Sequence, residues 1–226
     1  IYDSSYNYGI WLTSSSNNNT VTDNTCNNNY FYGIYLSSSS NNNTITGNTC
    51  NNNSSGIYLS SSSNNTVTGN TCSNNSSGIY LSSSSNNNTV TGNTCNNNNY
   101  YGIYLSSYSN NNTVTGDTCN NNYYGINLSS SSNNNTVTGN TCNNNNYGIL
   151  LYSSNNNTVT GNTCIRGTGQ TSDYASNQYT IQLQGTDNNY NLISLNNCMG
   201  KKVVVDGGTG NSVWGNKFDN TDDLTR

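Results

Sequence analysis

The chain has 226 residues, of which only 6% are charged; it contains no proline and no histidine, and its formal net charge is −4. Five basic residues, all late in the chain, form no basic stripe, which argues against a nucleic-acid partner. No apolar run approaches the ~20 residues of a membrane span, and Ile1 reads as the start of a processed or truncated chain.

From the N-terminus, Ile1–Tyr8 runs almost directly into the strand-like Gly9-Ile10-Trp11-Leu12, without a cap. Either something precedes this end or a neighbouring subunit covers it. A repeat then takes over. Asn135–Cys142 reads NTVTGNTC, and near-copies occupy Asn19–Cys26, Asn43–Cys50, Asn65–Cys72, Asn88–Cys95, Asn112–Cys119 and Asn157–Cys164. The steps between their cysteines are 24, 22, 23, 24, 23 and 22 residues. So regular a period signals stacked structural repeats.

Within Tyr101–Cys119, Ile103 and Leu105 alternate with Tyr104, and Val114 alternates with Thr113 and Thr115. That period of two predicts short strands, separated by Ser/Asn corners, with no helical pattern. One such unit cannot bury its apolar face alone, but stacked units can. The predicted core columns are Ile10 to Ile149, Leu12 to Leu151, Val21 to Val159, and the cysteines Cys26, Cys50, Cys72, Cys95, Cys119, Cys142, Cys164 and Cys198. Asn24, Asn48, Asn70, Asn93, Asn140 and Asn162 are predicted to form an amide ladder, with Asp117 as its exception.

After Cys164 the pattern loosens. Ile165–Asn177 reads as an insertion, Tyr179–Leu183 as a returning strand, and Asn191–Cys198 as a degenerate repeat. Lys202–Val205 with Asn211–Phe218 then makes a ninth coil, with Phe218 at the cysteine position. The expected organisation is seven regular coils over 1–164, and two irregular coils with a cap and tail over 165–226.

The run GIYLSSSSNNNTVTGNTC resembles the repeat of right-handed parallel β-helix proteins, the NosD-like and pectate-lyase-like solenoids. It is most similar to the Asn/Ser-rich versions in archaeal, particularly methanogen, surface and sheath proteins. The resemblance implies an all-β right-handed parallel β-helix of about nine coils, roughly 43 Å long at ~4.8 Å per coil.

Several constellations bear on function. In-register cysteines ~4.8 Å apart fall within the ~4.4–6.8 Å Cα range of disulfides, so rung-to-rung bridges, intermolecular bridges and free thiols all remain open. A line of thiols without histidine does not match a metal tetrahedron, and no cofactor is implied. Among carboxylates, Asp23 and Asp117 lie four coils apart, too far for an acid pair on one glycosidic bond, and Asp222-Asp223 stand in the tail. The chain therefore reads as no enzyme. Thr-x-Thr pairs from Thr20-x-Thr22 to Thr158-x-Thr160 predict two outward rows resembling those of ice-binding solenoids. Asn18, Asn42, Asn64, Asn87, Asn111, Asn134 and Asn156 are Asn-x-Thr sequons, and Asn53 and Asn75 are Asn-x-Ser sequons. Finally, Trp11, Tyr35, Tyr58, Tyr80 and Tyr104 line an outward aromatic strip, continued by Asn127 and Leu150, with a second aromatic cluster before the glycines.

Low charge, the aromatic strip, the uncapped end and the cysteine column predict a structural protein of the cell surface. The expected role is a self-assembling unit of an extracellular sheath, surface layer or fibre, with itself as partner. The alternatives are an ice-binding solenoid and a carbohydrate-binding adhesin or degenerate polysaccharide-active β-helix, for which glycans would be the partner.

Overall fold

In the computed structural model, residues 7–166 and 178–218 are described. Asp3, Asp222, Asp223 and nearly all of the predicted insertion lie outside them. Alternating apolar residues do produce strands: eighteen among the described residues, β1 (Tyr8–Leu12) to β18 (Ser212–Trp214). The odd-numbered strands, from β1 to β17 (Val204–Val205), build one nine-stranded parallel sheet. The even-numbered ones, from β2 (Thr20–Thr22) to β18, build a second. Between them, single parallel bridges from Thr25↔Thr49 to Asn197↔Lys217 mark a third, narrow face. This is a parallel β-helix of nine coils.

Register follows the repeat. Ile34 pairs with Ile57 and Leu36 with Leu59 in the first sheet, and Ile45 pairs with Val67 in the second. Each column is therefore continuous along the axis, and from Ile34 to Val159 its Ile, Leu and Val members are fully buried. The ends differ: Ile10 and Phe218 are only partly buried, although both pack on the core.

The cysteine column has a partner column. A Cβ built on Gly56 would lie 2.7 Å from the carbonyl oxygen of Gly78 and 2.8 Å from the Cβ of Cys72. The coil is too narrow there for any side chain on the glycine. Opposite it, cysteine needs room for only one atom beyond Cβ, whereas a branched aliphatic would crowd the backbone.

The corners explain the composition. Asn18, Asn42, Asn64 and their equivalents, together with serine pairs such as Ser38-Ser39, adopt left-handed φ values near +55 to +60°. Asparagine tolerates that region better than most residues. Inside the corners runs more than the one predicted ladder. Asn48 Nδ2 donates to Asn70 Oδ1 at 3.0 Å, to the Val21 carbonyl at 2.9 Å and to the Thr46 carbonyl at 3.0 Å. A second inner ladder passes through Asn43, Asn65, Asn88 and Asn112, and a third through Asn53, Asn75 and Asn98. Buried amides so paired satisfy their own polar groups and those of the turning backbone.

Candidate functional site

The outward face of the first sheet carries two aromatic columns. In one, Trp11, Tyr35, Tyr58, Tyr80 and Tyr104 stack with centroid separations of 6.0, 5.2, 4.8 and 4.8 Å. In the other, Tyr101, Tyr124, Tyr147 and Tyr179 stack at 5.1, 5.0 and 5.1 Å. They join where Tyr101 lies on Tyr104, at 4.2 Å and 9° between planes. One ladder thus changes column midway along the solenoid, and ends beneath Lys201, whose Nζ sits 3.9 Å from the Tyr179 centroid.

This revises the picture of a freely exposed strip. Stacked rings cover much of one another, and Tyr35, Tyr58, Tyr80 and Tyr104 are only half-exposed. Hydroxyls are engaged as well: Tyr58 with Ser82 Oγ at 3.0 Å, Tyr80 with Ser106 Oγ at 3.1 Å and Tyr104 with Ser129 Oγ at 3.0 Å. Burial, reinforced by neighbouring phenols, pushes the Tyr101 hydroxyl up to about 12 and raises Tyr124 and Tyr147. These groups stay neutral at physiological pH.

Where the first column loses its rings, the surface opens. Tyr104 pairs in register with Asn127, which pairs with Leu150. Asn127 is 5% exposed and Leu150 3%, so both form a floor rather than a rail. Above it lies a cavity of about 300 Å³, walled by Tyr101, Tyr104 and Tyr124 on one side and by Tyr152 and Gln184 on the other, with Ser129 and Ser130 beside them. That volume is at the lower edge of the ~300–1,000 Å³ range of ligand clefts. The Asn127 Oδ1 is buried and accepts no hydrogen bond. A buried acceptor without a donor is costly. The break was visible in the sequence as Asn127 and Leu150 in a tyrosine column. That neighbouring side chains cover both was not.

A second hollow, of about 240 Å³, lies at the C-terminal end of the described coils, among Val203, Val213, Trp214 and Phe218. Val203 and Phe218 there pack against the last described layer of the core.

The other predicted residues fall elsewhere. All eight cysteines are free and buried in the core. Burial pushes the thiols of Cys72, Cys119 and Cys164 well up, and that of Cys198 to about 11, while hydrogen bonds from the neighbouring thiols lower Cys50, Cys95 and Cys142; the sulfurs of the column share their protons along it. The seven Asn-x-Thr sequons are exposed at corners, whereas Asn53 and Asn75 are 7% and 2% exposed and held in a ladder, which corrects their reading as acceptors. The Thr-x-Thr pairs flank buried valines in register on the second sheet, half-exposed from Thr44 to Thr160.

Asp117 is 1% exposed. Its Oδ1 accepts from the Asn93 backbone at 2.7 Å and from Asn93 Nδ2 at 2.8 Å, while Oδ2 has no partner. Burial above all, and then nearby Cys95 and Cys142, raise this carboxyl to about 8 against the pull of the Asn93 hydrogen bonds. It is a structural acid inside the wall.

Residues 1–142 match the family described as right handed beta helix region. The chain belongs to the right-handed β-helix family. Over residues 84–225 it also matches the family of the periplasmic copper-binding protein NosD. No curated protein matches it. Solved structures similar to it include the periplasmic alginate epimerase AlgG, at 20% identity and a TM-score of 0.68, with 88% of this chain and 50% of that one covered. Another is the Dettilon tailspike protein, at 22% identity and a TM-score of 0.73, covering 82% and 41%. A third is DFA-IIIase from Arthrobacter chlorophenolicus A6, at 17% and 0.65, covering 83% and 47%. At such identities the likeness shows the fold, and the β-helix spans about half of AlgG's length.

Two consequences follow from these relatives. The expectation that the chain is no enzyme is corrected, because solved proteins on this same coil include an epimerase and DFA-IIIase. Spacing Asp23 against Asp117 tested a single arrangement, and Asp117 is buried in the wall rather than presented to a substrate. Copper, by contrast, does not fit. Among the described residues no group of three or more His, Cys, Asp or Glu can hold an ion, and the thiols stand in line inside the core. No helix among those residues is long and apolar enough to cross a membrane.

Proposed function

We propose that this β-helix binds polysaccharide outside the cytoplasm, with the tyrosine-walled notch over Asn127 as its principal subsite. The observation that supports this reading most directly is the notch itself: four tyrosines beside Ser129, Ser130 and Gln184 around an uncharged floor. Aromatic rings beside hydroxyl and amide groups match a sugar, which has apolar C–H faces and a rim of hydroxyls. The ladder on either side provides a straight track for a chain longer than one unit. AlgG acts on alginate and is periplasmic, as the NosD family is described to be, which favours the same class of ligand and an envelope location. The sheath and surface-layer expectation gains no such support.

Asn127→Tyr provides the test, because it fills the notch by continuing the Tyr104 column and leaves the core untouched. Isothermal titration against neutral and acidic polysaccharides should show binding by the wild type and at least a tenfold loss in the variant, with thermal stability retained. Wild-type protein that binds none of them, or a variant that binds equally well, would refute the proposal.

A further inference from the structure

Resting on the polysaccharide-binding reading, we infer that the ligand is a neutral polysaccharide, not a uronate polymer of the alginate kind.

Carboxylated sugars are recognised through charge. Each carboxylate that leaves water needs a cation or several hydrogen-bond donors, and arginine is the usual provider. Without them, taking the carboxylate out of water is left uncompensated. No lysine or arginine precedes Arg166, so neither the notch nor the ladder from Trp11 to Tyr147 has a cation of its own. The lining of the notch is entirely uncharged, made of tyrosine, serine, asparagine, glutamine and leucine. Of the later cations, Arg166 is 2% exposed and donates to the Gln178 carbonyl at 3.2 Å. Lys201 lies on the Tyr179 ring, and Asp206 opposes its charge nearby. The chain as a whole carries −4, which repels a polyanion.

The experiment compares glucan, mannan, xylan and galactan with alginate and polygalacturonate, using wild-type protein and the Asn127→Tyr variant. Affinity electrophoresis and titration calorimetry would be run in dilute buffer and at ~1 M salt, where the Debye length is about 3 Å. The expected result is binding of at least one neutral polymer, at least tenfold tighter than either uronate polymer, unchanged by salt and lost in the variant. Equal or tighter binding of a uronate polymer, weakened by salt, would overturn the inference and leave the polysaccharide reading standing. Failure of all six to bind would overturn both.

Discussion

Replacing Asp117 with asparagine should abolish a pH dependence that the wild-type solenoid carries in its wall. In neighbouring coils the equivalent amide donates across the corner, as Asn93 Nδ2 does to the Val67 carbonyl at 3.0 Å and Asn140 Nδ2 to the Val114 carbonyl at 3.0 Å. At Asp117 that donor is replaced by Oδ2, which has no partner. Only a protonated carboxyl can supply the missing hydrogen. The folded state therefore holds its proton up to about pH 8, whereas the unfolded chain releases it near 3.8. Between those values the unfolded state binds fewer protons, so stability falls as pH rises, by ~1.36 kcal/mol per unit. From pH 5 to 8 the loss is about 4 kcal/mol, or roughly 8–16 °C in melting temperature for a chain of this size. Below 3.8 and above 8 the contribution is flat. The chain has no histidine to titrate in this window, and the variant isolates the part that Asp117 contributes. Melting curves by circular dichroism at half-unit steps should show wild type and Asp117→Asn closest near pH 4 and separating towards pH 8, with the variant more stable. Parallel curves across that range would refute the reasoning.

Three further outcomes are expected. Gly78→Ala should destabilise by more than ~1–3 kcal/mol, because its Cβ would lie 2.5 Å from the Gly102 carbonyl oxygen and 2.9 Å from the Cys95 Cβ. Gly92→Ala, at φ +63° with open space around it, should cost only the ~1–2 kcal/mol of a left-handed residue, and chemical denaturation would rank the two. Ellman titration should find no reactive thiol in native protein and eight after unfolding without reductant; fewer in denaturant would show that cysteines are bridged. On secretion from a glycosylating host, peptide mass spectrometry should find glycan on some of the exposed corner asparagines, such as Asn64 or Asn111, and none on Asn53 or Asn75.

Much of the architecture was legible in the repeat. A strict period places Ile, Leu, Val and Cys at equivalent positions, and a parallel coil is the arrangement that buries all four columns at once. Asparagine-rich corners were legible too, yet only as turn formers. Whether a given amide faces inward as a ladder, like Asn53, or outward as a sequon, like Asn64, depends on one step around a corner. Local pattern does not resolve that step, because both residues stand in similar Asn/Ser runs.

The chain's own sequence thus determined the coil, the core columns and the poverty of charge that shapes any ligand. Tertiary structure alone decided what the outer face can do. Tyr101 and Tyr104 meet within one strand, but only the stacking of coils extends each of them into a column. Likewise, Asn127 is an ordinary polar residue until the rings of neighbouring coils wall it in and leave its Oδ1 without a donor. Contacts between coils some 23 residues apart created that notch, and no stretch within one repeat encodes it.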